Sequence, residues 1–378
     1  MKFAKYVSGV LNGIRAGQPR KILPALLVTP AVLLAVMGLV FCWITPANAS
    51  LYGPGSHFFF SRQLCWTINT VLLAAVAYSI GWKRWLKAAP FIAFGWLGLV
   101  VYAATCPLVR GHWGWISVGC FRINVVEFLP VVFSLLVAWF VQLSRCRAIV
   151  GIGIAVLMVG AFMCCRLFSN PIERDQLLLL PSQQKMAEKA GKPSQEFLLN
   201  QCVGAVKESH WFGKCDVNTR YIPESTTTSM PAVSAVLFGK WYLIALGAVL
   251  GVMGIGIGLF WVMGGSESMR AYALVWGALV LLPAFFNLLG CVGIVSMLDF
   301  GIPFACYGGS LAMATGIGLA ILLSHSLDCD ENSLTRRGLI CAVCPAVLLV
   351  LMTVCGVLSV SSRGDFTYMG SSSCEKAK

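Results

Sequence analysis

A chain of 378 residues that is 58% hydrophobic and only 11% charged cannot be an ordinary soluble protein, since soluble domains carry roughly 25% charged residues. Its formal net charge of +13 does not require a nucleic-acid partner, because the bases fall in short segments between apolar blocks, where membrane proteins place them. The blocks are continuously apolar rather than alternating, so helices and not a closed barrel satisfy the backbone in lipid.

The blocks predict an all-α polytopic membrane protein with about nine transmembrane helices and one long outer loop, each block approaching the roughly 20 residues that a bilayer core requires. Residues 1–23 form a basic cytoplasmic segment. Pro24–Ile44 is the first span. The small residues Pro46-Ala47-Asn48-Ala49 before Ser50 resemble a cleavage site, but the apolar run and its basic lead exceed those of a signal peptide, so an uncleaved anchor is expected. Spans at Trp66–Ile80, Pro90–Ala104, Val125–Val141 and Ala148–Met163 complete an N-terminal transmembrane region, 24–164.

Glu127 opens the fourth span. An acid facing lipid at mid-depth costs on the order of 2.5–3.5 kcal/mol, so Glu127 should face the interior or a cavity. Two readings stand: an interfacial ion pair with Arg122, or an acid in a substrate cavity.

Residues 165–230 are the large extracytoplasmic loop, with seven of the fifteen acids; loops of this length are usually functional or disordered. Cys202 and Cys215 lie there, in an oxidising place if the compartment is a periplasm, and are a disulfide candidate worth roughly 3 kcal/mol. The other cysteines, Cys341-x-x-Cys344 included, fall mostly inside spans and read as small packing residues. The four histidines show no paired spacing, so no metal site is expected. No cofactor is expected either, as no phosphate-binding loop, ATPase signature or Ser-His-Asp set is present.

Three spans, Val233–Met263, Ala271–Met297 and Pro303–Leu323, form a C-terminal core, 231–325. The first of them is long enough to hide a re-entrant portion, and Lys240 within it is expected to snorkel to the outer interface. Residues 326–378 add a last span, Leu339–Val360, and an outer tail. Lys and Arg number 13 in the segments that would be inside and 6 in the short outer ones, which predicts a cytoplasmic N-terminus and an extracytoplasmic C-terminus.

Four stretches in chain order carry a family resemblance. Asn287, Gly293, Pro303 and Tyr307-Gly308-Gly309-Ser310 are similar to the Asn…Gly…Leu-Pro-x-x-Ser-Tyr-Gly-Gly-Ser block of the SEDS family, the FtsW, RodA and SpoVE proteins, with Cys306 in place of its Ser. Phe58-Phe59-Phe60-Ser61-Arg62-Gln63-Leu64 resembles its Phe-x-x-Arg-Gln-Leu entry to the second span. Trp115 to Glu127 resembles its Trp-Ile-x-Leu-Gly…Gln-Pro-Ser-Glu. Ala205 to Lys214, then Ile222-Pro223-Glu224, resembles its Ala-Ile…Gly-Lys-Gly…Leu-Pro-Glu. The family has ten spans, and two of them, with a Gln-Pro-Asp-Leu-Gly motif, are missing between Val141 and Ala148.

The resemblance implies a bacterial inner-membrane peptidoglycan glycosyltransferase of division or cell shape. It would polymerise lipid II or another undecaprenyl-linked precursor beside a class B penicillin-binding transpeptidase. It implies substrate-binding roles for Glu127, Lys214, Asn287, Tyr307, Gly308, Gly309 and Ser310. The family's general base is an Asp four residues after the Glu of Leu-Pro-Glu, and here that position is Thr228, which cannot accept a proton. Asp216, Glu224 and Asp299 are the substitute acids of an active enzyme. The alternative is a non-catalytic scaffold that binds the transpeptidase or the precursor. A lipid-linked-sugar flippase ranks behind both, because intramembrane charge is almost confined to Glu127 and Lys240.

Overall fold

The computed structural model describes residues 19–45, 56–106, 114–118, 121–143, 195–217, 219, 222, 225–263, 265–295, 301–325 and 336–360. Among these residues the chain is an all-α membrane bundle. Its helices are α1 Pro19–Ile44, α2 Phe58–Ile80, α3 Trp82–Thr105, α4 Leu129–Val141, α5 Gln195–Glu208, α6 Met230–Phe238, α7 Trp241–Met263, α8 Glu267–Cys291, α9 Gly309–Leu323 and α10 Arg336–Val360.

Five are long and apolar enough to cross a membrane: Leu23–Ile44 of α1, then α2, α3, α7 and α8. Three shorter apolar stretches, Val125–Val141, Gly309–Leu323 and Ala346–Ser359, accompany them. The expected fifth span, Ala148–Met163, lies outside the described residues, as do Glu224 and Asp299.

Several boundaries differ from expectation, each for a local reason. The sixth block divides into α6 and α7 because Gly239 takes φ +99° between them, a conformation cheap only without a Cβ. The eighth begins at Gly309 rather than Pro303, because Pro303–Ala305 fold into a turn with Phe304 at φ +64°. A bulky residue there stores strain. Between α3 and α4 the loop forms a β-hairpin, β1 Trp115–Val118 and β2 Phe121–Asn124, with Trp115 opposite Asn124. A 3-10 turn, Val125–Phe128, then feeds α4. The Asn124 side chain caps it by accepting from the Val126 N–H at 3.0 Å.

Helix α7 is the centre of the bundle. It packs on α1, α8 and α10, while α8 packs on α4, α4 on α3, and α9 on α2. Small residues permit the close approaches that dispersion needs when lipid offers no hydrophobic drive. Gly247 and Gly251 of α7 face Thr353 and Val350 of α10, and a Cβ on Gly251 would strike the Val350 side chain. The final apolar helix is thus seated in the bundle and not an annex. The core is filled by Phe41, Phe260, Tyr272, Trp276 and Phe285. By contrast α2 and α3 turn most of their surface outward, with Ile68, Val71, Phe91 and Phe94 exposed as lipid-facing residues.

Candidate functional site

The segment Gly301–Ser310, which enters α9, gathers the matched stretches around itself. The Tyr307 N–H donates to the Thr226 carbonyl at 2.9 Å, and the Asn287 Nδ2 on α8 donates to the Thr228 carbonyl at 2.9 Å. The turn Ser225–Ser229 is therefore held from two sides, on the threshold of α6. Ser310 reaches the hairpin, where its Oγ accepts from the Asn124 N–H at 2.8 Å. Asn124 also caps the turn that carries Glu127, so that acid is anchored three residues beyond the group fixed to Ser310.

From α2, Gln63 clasps the segment with both ends of its amide. Nε2 donates to the Cys306 and Phe304 carbonyls at 3.3 and 3.5 Å, and Oε1 accepts from the Gly308 N–H at 3.3 Å. Gln63 is buried, and its partners satisfy an amide that would otherwise be costly in the bilayer interior. Phe59, one turn earlier, sets its ring edge-on to Tyr307 at 5.0 Å. The carbonyls of Phe304 and Ala305 lie against Gly38 of α1, where a Cβ would fall 2.5 Å from the Ala305 oxygen. Cys306 takes up the role of a local acceptor, its Sγ receiving the Ile302 N–H at 3.0 Å.

Of the residues singled out from the sequence, Thr228, Asn287, Tyr307, Gly308 and Ser310 belong to this one hydrogen-bonded hub, and the half-buried Glu127 adjoins it. Gly309 packs its Cα face on the Trp66 indole of α2, which a Cβ would overlap. Lys214 and Asp216 are exposed and flank Cys215, whose N–H donates to the Val236 carbonyl at 2.9 Å. Val236 is six residues into α6, about 9 Å along its axis from the end that meets Thr228. The two charged residues therefore attach to the far end of α6.

Two expectations are corrected. Cys202 and Cys215 are free thiols. Cys202 is buried on the inner face of α5 within hydrogen-bond reach of Cys291 of α8, and the Cys215 Sγ donates to the Glu208 carbonyl at 3.3 Å. Each sulfur thus faces a different partner. Lys240 does not snorkel: it is buried, its Nζ donating to the Lys207 carbonyl at 3.1 Å with the Trp211 ring 5.8 Å away.

The residues that sequence reasoning missed as site residues are Gln63 and Asn124. For Gln63 the available signal was a polar residue in an apolar helix. Chemically the hub is mostly buried and neutral. Among the described residues no Asp or Glu is buried, and no cluster suited to a metal occurs. Of the nearby acids, Glu208 at the end of α5 has its carboxyl raised by partial desolvation, with Lys207 acting the other way.

Residues 24–171 match the FtsW, RodA and SpoVE family model, described as cell cycle protein. A probable peptidoglycan glycosyltransferase FtsW of Halorhodospira halophila is 22% identical over 342 residues, 76% of this chain and 87% of that one. Its counterpart in Thioalkalivibrio sp. is 24% identical over 370 residues, 83% of this chain and 90% of that one. Among solved structures, the rod shape determining protein RodA of Thermus thermophilus superposes with a TM-score of 0.56 at 18% identity, covering 80% of this chain and 95% of that chain. A chain from a structure described as the structural coordination of polymerization and crosslinking by a peptidoglycan synthase complex gives a TM-score of 0.57 at 16% identity, with 80% and 96% covered.

Proposed function

The chain belongs to the SEDS family of FtsW-, RodA- and SpoVE-like membrane proteins, and on that premise we propose that it works in peptidoglycan synthesis by holding lipid II or a related undecaprenyl-linked precursor at the Gly301–Ser310 hub. The observation that carries the reading is that two other matched stretches, through Gln63 and Asn124, bond to the matched Gly301–Ser310 loop, which also holds the Ser225–Ser229 turn. A scaffold lacking any ligand would gain little from so specific a constellation. Glu127 and the Tyr307–Ser310 turn are the substrate-facing residues of this reading, with Asn287 holding the Thr228 turn behind them, Lys214 reaching the precursor from the far end of α6, and a class B penicillin-binding transpeptidase as the partner. The protein would sit in the bacterial inner membrane with its N-terminus cytoplasmic and its C-terminus extracytoplasmic.

Glycosyl transfer requires a base to take the acceptor hydroxyl's proton as the sugar–pyrophosphate bond breaks. Thr228 holds the base position, and a positioned base is worth about 10²–10⁴-fold in rate. We therefore read the protein as a precursor-binding member with weak polymerase activity. The test is polymerisation of fluorescent lipid II by the purified protein. Binding with little polymer supports the reading, and vigorous polymerisation refutes it. A second reading, favoured by the relatives' names, keeps a full enzyme with Asp216, Glu224 or Asp299 as base. In that case Asp216→Asn, Glu224→Gln or Asp299→Asn abolishes wild-type polymerisation.

A further inference from the structure

The segment from His210 to Cys215 is fixed by its own backbone. The Lys240 N–H donates to the His210 carbonyl at 3.0 Å and the Trp241 N–H to the Trp211 carbonyl at 3.4 Å. Gly213 and Cys215 donate in turn to the Phe238 and Val236 carbonyls at 3.1 and 2.9 Å. Gly239 closes the joint, because a Cβ there would run into the Trp211 carbonyl and the Phe212 Cα. The segment is thereby tied to the break between α6 and α7.

Its aromatic rings nevertheless face outward. Phe212 is 75% exposed and Trp211 41%, and Trp241 beside them is also 41% exposed. Trp241 is the first residue of a helix long and apolar enough to cross a membrane. With Ala248 and Val252 it forms the exposed stripe of that helix, since spacings of seven and four residues keep one face. The stripe suits the lipid-facing surface of α7, and across half-buried Ile244 and Ala245 it leads to Trp241 and, through the backbone bond, Trp211. Exposed His210 and Lys214 flank the rings, and a basic residue there suits a headgroup phosphate. Aromatic rings with basic neighbours are the composition of a membrane–water interface.

We propose that Trp211 and Phe212 form an interfacial wedge that seats in the headgroup–acyl boundary of the bilayer at the Trp241 end of α7, with lipid and not a protein as its occupant. The wedge fixes the depth of the loop that carries Lys214, independently of any catalysis at the hub.

The test uses the full chain in nanodiscs of phosphatidylcholine, plain or brominated near the top of the acyl chains. Wild type, Trp211→Phe and Phe212→Trp are compared by tryptophan emission. The emission difference between wild type and Trp211→Phe should disappear in brominated discs, as should the extra emission of Phe212→Trp. If both differences survive bromination and are suppressed only by acrylamide in the water, the wedge is refuted. As a second readout, benzoylphenylalanine replacing Phe212 should photocrosslink to phospholipid in intact membranes. An adduct with a polypeptide instead would overturn the assignment.

Discussion

Asn287 and Thr228 lie 59 residues apart in sequence, yet the Asn287 amide donates to the Thr228 carbonyl at 2.9 Å, with both side chains buried. Replacing Asn287 by Leu leaves that carbonyl without this donor, and an unsatisfied buried group costs about 1–3 kcal/mol. The loss should appear as a lower unfolding temperature in detergent. Asn287→Asp adds a pH signature. A protonated Asp can still donate, whereas the ionised form sets a charge against the carbonyl. The variant should therefore be more stable in acid than at neutral pH.

Gly308 and Gly309 are adjacent but not equivalent. A Cβ on Gly309 overlaps the Trp66 indole, whereas one on Gly308 meets nothing within 4 Å. Gly309→Ala should therefore cost about 1–3 kcal/mol through overpacking, and Gly308→Ala should stay within about 0.5 kcal/mol of wild type. Thermal unfolding of both variants checks the contrast. Trimming the indole with Trp66→Leu should recover part of the Gly309→Ala loss and none elsewhere.

Thr228→Asp tests the proposal that Thr228 occupies the position of the family's base. If the rest of the site is competent, lipid II polymerisation should rise by about 10²–10⁴-fold. Because Thr228 is buried, the new carboxyl's pKa should lie above the ordinary range, so the gain should grow with pH while stability falls. An unchanged rate across the pH range would withdraw the base assignment.

The free thiols of Cys202 and Cys215 make a chemical forecast. Under non-reducing conditions, mass spectrometry should find no peptide linking the two. Brief alkylation of the folded protein should label half-buried Cys215 before buried Cys202. A Cys202–Cys215 peptide in native protein would reverse the correction made above.

The membrane bundle was legible because twenty-residue apolar blocks have few other fates in water. The break at Gly239–Lys240 was legible only as a block long enough to hide a re-entrant portion; its position was not, since one lysine in an apolar run also reads as a snorkelling residue. The hairpin Trp115–Asn124 was missed because four-residue strands leave too short an alternation to register. The candidate residues were nameable from the motifs, but their meeting was not. Tyr307 N–H to Thr226 carbonyl is a bond between groups that almost every residue carries, so no side chain announces it. Burial misled in the same way: Cys202 and Cys215 share a polar loop in sequence, while helix α5 turns one of them into the core. Lys240 looked like a snorkelling residue because the carbonyl that receives it, on Lys207, belongs to a distant turn.

Gln63 is separated from its Cys306 partner by 243 residues. At a synthesis rate of about 5–20 residues per second, that distance is on the order of ten to fifty seconds of translation. Throughout that interval α2 carries a primary amide whose permanent acceptors and donor have not been made. The nascent helix must stay near water or within the insertion machinery until the chain has passed Gly308. Closure of the hub is thus a timed late step of biogenesis, and agents that delay elongation between these two points should prolong the exposure of α2.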